Sequence, residues 1–152
     1  YTTPRWPSDP LFYASFSSKT DPETAPKNHE NMVLLIPIAP GLEDNKLIRN
    51  KYFELIISRF EKITRQSIKN NIIYKRSYAI RDFKKDYNSF KGNAYGLANT
   101  LFQTAIFKPS IRNKKLKNLF FCGQLTVPGP GVPPAIISGG VVAKEVKKEI
   151  SN

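Results

Sequence analysis

The sequence holds one cysteine, one histidine, one methionine and one tryptophan in 152 residues. A single thiol excludes an internal disulfide framework, and a single imidazole beside it argues against a zinc site of His/Cys type. No apolar run approaches the roughly 18 residues of a membrane span, and no basic-then-apolar secretory leader is expected. The phosphate loop Gly-x-x-x-x-Gly-Lys, the dinucleotide fingerprint Gly-x-Gly-x-x-Gly and the nucleophile elbow Gly-x-Ser-x-Gly are all missing. His29, between Pro26 and Glu30, reads as a solvent-exposed loop side chain, so no serine or cysteine has a histidine base. Hydrolytic and metal chemistry are therefore set aside. Cys122 closes an apolar run and reads as a buried small side chain, not a reactive thiol. With Tyr rather than Met first, the start is expected to be a cut, a processed end or an unsequenced beginning.

Acidic residues are half as frequent as basic ones, 12 against 24. The imbalance is local: residues 55–120 hold 15 Lys/Arg and only Glu61, Asp82 and Asp86 as acids, a net +12, while the remainder is neutral. Such a face attracts a polyanion, either anionic lipid or nucleic acid. A merely solvated basic surface accounts for it equally well. Hydrophobic residues make up 40%, enough for a core, and the length suits one domain or a piece of a larger one.

Residues 1–10, with Pro4, Pro7 and Pro10, form an extended entry. Leu11 to Phe16 and the apolar run Met32 to Ile36 read as strands, the second one buried, separated by a polar loop with turns at Pro22 and Pro26. Asp44 or Asn45 caps an amphipathic helix to about Thr64, with Ile48, Tyr52, Leu55, Ile56 and Phe60 at three- and four-residue steps. Ile72 to Tyr78 reads as a further strand, Ala79 to Lys91 as a short helix and an irregular link, and Asn118 to Gly123 as an aromatic strand ending on glycine. The loop Thr126 to Pro134 carries four prolines and two glycines. A last helix runs from about Pro134 to Ile150, proline suiting its first turn.

Chemistry concentrates in this last strand, loop and helix. The first half of the helix (Ala135, Ile136, Ile137, Val141, Val142, Ala143) is apolar all round and is expected to be buried. Gly139 and Gly140 each cost roughly 1 kcal/mol relative to Ala in a helix interior, which close approach of another backbone or a flat ligand would offset. A helix start behind a strand can hold an anion or a polarised carbonyl; a plain packing unit is the other reading. The stretch Gly92 to Leu101, with Gly92 and Gly96 flanking small and aromatic residues, either lines a long apolar cavity or makes an ordinary core connection.

At these segments the sequence resembles a known family. GNAYGLANTLFQTAIFKPSIRNKKLKNLFFCGQLTVPGPGVPPAIISGG (Gly92 to Gly140) is similar to the C-terminal end of bacterial-type phytoene desaturases, the FAD-dependent carotenoid desaturases. WPSDPLFYASFSSKTDPETAPKNHENMVLLIPIAPGLED and YKRSYAIRDFKKDYNSFKGNAYG extend the likeness over nearly the whole chain. The family's run Gly-Ala-Gly-Thr-His-Pro-Gly-Ala-Gly-Ile-Pro-Gly is altered here at Gln124, Leu125, Val127 and Pro134, among other positions. The absence of the family's histidine at Val127 removes any role for that side chain.

The resemblance implies an α/β flavoprotein: an α+β substrate domain (residues 1–108) and the closing strand and helix (109–152) of a Rossmann-like FAD domain. It implies that Gly123 and Gln124 lie near the ribityl and pyrophosphate portion of FAD, and that Gly131, Val132 and Pro133 approach the isoalloxazine ring. The helix's positive end would then face the ring's N1/C2=O edge. Tyr95, Leu97 and Leu101 become candidates for a substrate tunnel. No catalytic acid or base is assigned. The expected activity of the complete enzyme is dehydrogenation of a long polyene by hydride transfer to flavin, in carotenoid biosynthesis. The dinucleotide fingerprint would belong to a missing N-terminal part of the same enzyme, so this piece alone is not expected to hold FAD well or turn over. The basic stretch fits peripheral docking on anionic lipid at the cytoplasmic face of the membrane. Nucleic acid is not expected as a partner, since the aromatics are not interleaved with the basic residues. The alternatives are a retinol saturase-like reductase, an amine oxidase-like enzyme, or a non-enzymatic basic module binding lipid or nucleic acid.

Overall fold

The helix marked by the spacing of Ile48, Tyr52, Leu55, Ile56 and Phe60 is present in the computed structural model, which describes residues 3–98 and 100–151. This helix, α1, spans Lys46–Thr64. Asn45 is extended, and its side-chain oxygen accepts the Ile48 N–H at 2.9 Å, satisfying a donor of the first turn. The helix stops where Arg65 turns left-handed at φ 56°. Past that turn the Glu61 carboxylate accepts the N–H groups of Lys69 and Ile68, at 2.9 and 2.7 Å, which reverses the chain. These two bonds hold the Glu61 carboxyl below its ordinary range.

Tyr52, Ile56 and Ile57 of α1 are buried, as is Ile80 at the start of α2 (Ile80–Tyr87). The N-terminal segment is tied along α1. Trp6 stacks on Tyr52 with ring centroids 4.6 Å apart and donates its indole N–H to the Glu43 carbonyl at 2.8 Å. The Tyr52 hydroxyl donates to the Pro7 carbonyl, and Arg59 reaches both Asp9 and the Pro10 carbonyl, each at 2.6 Å. β1 (Tyr13–Ser15) then pairs antiparallel with β2 (Val33–Leu35), Ala14 lying opposite Leu34.

One buried carboxylate joins the two helices. Asp44 is only 6% exposed and takes a two-pronged bond from Arg49, both contacts at 2.6 Å, with the Arg81 N–H adding a third at 2.8 Å. Arg49 also bonds Asp82 at 2.7 Å, and Asp82 accepts the Ala79 N–H that opens α2. The Arg49 bonds outweigh burial and hold the Asp44 carboxyl below its usual range, with the Arg81 amide assisting. After α2, Gly92 closes the unit at φ +69°, where a Cβ would stand 2.4 Å from the Ile80 carbonyl oxygen. Only glycine fits there.

Residues up to Gly92 form one compact unit and those from Asn93 a second. The second contains two single 3-10 turns, Leu101–Gln103 and Ala105–Phe107, then one antiparallel bridge between Arg112 and Phe120, then α3 (Val132–Ile150). Among the described residues no helix is long and apolar enough to cross a membrane.

The helices stand where periodicity placed them, α3 starting two residues early, whereas the strands are shorter than expected. The run at Met32 to Ile36 is not buried: only Val33–Leu35 is strand, with Val33 53% exposed. Ile72 to Tyr78 forms no strand, and Ile73 and Tyr74 are 80% and 77% exposed. Asn118 to Gly123 is reduced to the Phe120 bridge. For the last two the cause is shared: a strand is defined by its neighbour, and among the described residues β1–β2 is the one ladder, while the Met32 run has that partner but a two-stranded ladder leaves it exposed.

Candidate functional site

The loop from Gly123 to Gly131 is fastened to α3 by two hydroxyls. Ser138 is fully buried on the second turn of the helix, and its oxygen accepts the Gly123 N–H at 3.0 Å. Thr126, 2% exposed, shares a 2.9 Å hydrogen bond with Ser138 and donates to the Gly123 carbonyl at 3.1 Å. The Gly123 N–H and carbonyl are thereby both satisfied, so the end of the aromatic run is fixed at one place on the helix. These two residues were not among the expected site residues. Their signal is present in the sequence, since Ser138 is the one polar side chain between Val132 and Ala143.

Gly131 precedes α3 at φ +116° and gives the helix no side-chain cap. Val132 and Pro133 are its first two positions, with Val132 74% exposed. Four of the eight residues from Val127 to Pro134 are proline, which leaves amide donors only at Val127, Gly129, Gly131 and Val132. Against this loop lies a cation that the sequence did not flag. Lys108 Nζ is buried without a hydrogen-bond partner, and a Cβ built on Gly129 would stand 3.2 Å from it.

Gly123 and Gln124 stand at the far end of the same loop, Gly123 partly buried and Gln124 exposed. The candidate tunnel residues belong to the same unit. Leu97 is partly buried, whereas Tyr95 and Leu101 are 63% and 75% exposed. Gly96, between the first two, is held against the loop: a Cβ there would meet the Leu125 side chain at 2.5 Å. Phe102 and Ile106, 75% and 88% exposed, extend the apolar surface beyond Leu101.

Two expectations are corrected here. Cys122 is exposed, because the run it ends has no adjacent strand beyond the single bridge to cover it. The apolar first half of α3 is uncovered as well, with Ile136 and Ile137 70% and 55% exposed. Nothing lies within 4 Å of a Cβ placed on Gly139 or Gly140, so none of the described residues accounts for the two glycines by close packing. His29 is in an exposed loop as expected, its Nδ1 2.9 Å from the Lys27 carbonyl.

A sequence profile described as flavin containing amine oxidoreductase matches residues 2–147. A carotenoid 3,4-desaturase of Haloarcula japonica is 40% identical over 151 residues, covering 99% of this chain and 30% of the relative. A 4,4'-diaponeurosporene oxygenase of Staphylococcus haemolyticus is 32% identical over 92% of this chain and 28% of its own length. A zeta-carotene-forming phytoene desaturase of Myxococcus xanthus is 30% identical over 93% of this chain and 28% of its own. The chain spans less than a third of the length of these curated relatives. The likeness to carotenoid desaturases drawn from the Gly92 to Gly140 motifs is borne out.

Proposed function

From the premise that this chain belongs to the flavin-containing amine oxidoreductase family, we propose that it is the C-terminal part of an FAD-dependent carotenoid desaturase of the phytoene type. The observation that carries this reading is the 40% identity to a carotenoid 3,4-desaturase over 99% of the chain. The complete enzyme would remove two hydrogens from a CH–CH pair of a long polyene and so extend conjugation. Residues 1–108 would contribute to the substrate domain, and 109–152 would close a Rossmann-like FAD domain.

The residues present suit an acceptor-rich ring at the start of α3. Lys108 Nζ is orphaned there, and the missing side chain of Gly129 leaves room beside it. Gly131, Val132 and Pro133 would border the ring, and Gly123 and Gln124 the ribityl and pyrophosphate portion. When bound, FAD supplies the hydride acceptor. The chain's own part is placement: Ser138 and Thr126 fix the Gly123 end of the loop, and Gly131 sets the entry into α3. Tyr95, Leu97 and Leu101 would face the polyene, which offers no polar handle, so apolar area and orientation do the binding.

The membrane reading rests on charge and exposure. No acidic residue occurs between Asp86 and Glu145, while Arg112, Lys114, Lys115 and Lys117 do, beside Lys108, whose buried Nζ is not part of this surface. Leu101, Phe102, Ile106 and Phe107 are exposed among them. Peripheral docking on the anionic cytoplasmic leaflet would suit a substrate dissolved in lipid. Sedimentation with anionic vesicles, absent with neutral ones and reversed by salt, is the expected result.

The activity is tested with the natural product that carries this chain. It should purify with a flavin band near roughly 450 nm and convert a colourless phytoene-type polyene to species absorbing at longer wavelength. A second outcome has its own support, since one relative is named an oxygenase: an oxygenated product without new double bonds would move the assignment to that chemistry. A colourless protein that leaves the polyene untouched would sink both.

A further inference from the structure

The start of α3 is poor in donors. A helix normally presents several free N–H groups in its first turn, but Pro133 and Pro134 occupy the second and third positions and have none. A negative or strongly accepting group placed here would find little more than the Gly131 and Val132 amides. Lys108 enters this corner. Its Nζ and Cε stand 3.2 and 3.5 Å from the place of a Cβ on Gly129. Gly129 adopts φ +139°, so any other residue there would be strained and would fill the space. The nitrogen is buried and meets no acceptor among the described residues. A buried ammonium without an acceptor is unfavourable, so an acceptor placed beside this nitrogen would stabilise the arrangement.

We propose that Lys108 is the cationic contact for the N1/C2=O edge of the flavin ring, replacing the donors that proline removes from the start of α3. The inference rests on the FAD reading above. Position favours the ring over the pyrophosphate. Gly123 is bonded to Ser138, six residues or about 9 Å along the helix axis from Val132. Gly129 instead lies two residues before Gly131, at the helix start. The ammonium thus stands at the end where the ring is expected, and its charge favours an electron-rich ring edge.

The test uses the natural product carrying this chain, with Lys108→Met to remove the charge and Lys108→Arg to keep it. The readouts are sulfite affinity of the bound flavin, its reduction potential against a reference dye, and retention of FAD. The Met variant should bind sulfite about tenfold more weakly or worse, as expected on losing one charge-assisted hydrogen bond. Its potential should fall, and the Arg variant should stay near wild type on both readouts. Lys108→Gln, which keeps a polar side chain, substitutes for Met if that variant does not fold. Unchanged sulfite affinity and potential in the charge-removed variant would overturn the inference and leave the FAD reading standing. Loss of FAD with unchanged sulfite affinity in the remaining holoprotein would also overturn it, pointing to the pyrophosphate. A wild-type protein without flavin would overturn both.

Discussion

Two buried hydroxyls and one buried carboxylate determine local order in this chain, and each makes a distinct prediction. Replacing Ser138 with Ala removes the acceptor of the Gly123 N–H and leaves the buried Thr126 hydroxyl with the Gly123 carbonyl alone. The cost should be about 1–3 kcal/mol, read from urea unfolding of the natural product carrying the chain. Asp44 makes a pH-dependent prediction. Its folded pKa is depressed by Arg49, so its stabilising contribution is present above the unfolded value and is lost as pH falls through the folded one. The urea midpoint should therefore decline below roughly pH 4, and Asp44→Asn should flatten that decline while weakening the protein near neutrality. Each leaves a mark in the sequence, Ser138 as the lone polar residue of an apolar stretch, but not its role. A serine inside an apolar stretch and an aspartate before a helix acquire meaning only from partners 15 and 37 residues away.

Helices were legible because their instruction is local. The spacing from Ile48 to Phe60 and the Asn45 cap define α1 without reference to anything distant. Even so, Ile57, the most completely buried of its side chains at 1% exposure, lies outside the expected stripe, which took Leu55 instead. Ile57→Ala should cost about 2–5 kcal/mol, whereas Ile73→Ala, at an 80% exposed position, should stay within about 0.5 kcal/mol. The contrast is measurable by urea titration of both variants. Strands were not legible to the same degree. Apolar runs at Ile72 to Tyr78 and Asn118 to Gly123 have the composition of strands, but composition cannot supply the neighbour that makes a ladder. The candidate site divides in the same way: Gly131, Val132 and Pro133 stand at the α3 start, in the loop the motif marks, while Lys108, 21 residues before Gly129, carried no pattern of its own.

At the scale of the whole molecule, surface is the informative quantity. Exposed Ile136 and Ile137 and open space at Gly139 and Gly140 describe a helix face that no described residue covers. Gly139→Ala separates the two settings. In the 152-residue chain it should stabilise α3 by up to about 1 kcal/mol, seen as increased helical circular dichroism. In the complete product, where the reading above sets another backbone or the flavin against the helix, the same change should loosen FAD or lower the melting temperature. The N-terminal tie has a different consequence. Trp6 is the only indole in the chain, and it stacks on Tyr52 of α1 while hydrogen-bonding the carbonyl two residues before the helix cap. The chain thus carries its own optical gauge. Tyrosine-to-tryptophan energy transfer and the emission wavelength of Trp6 report whether the segment from Trp6 to Pro10 is docked, so its detachment can be timed separately from the melting of α1 seen by circular dichroism.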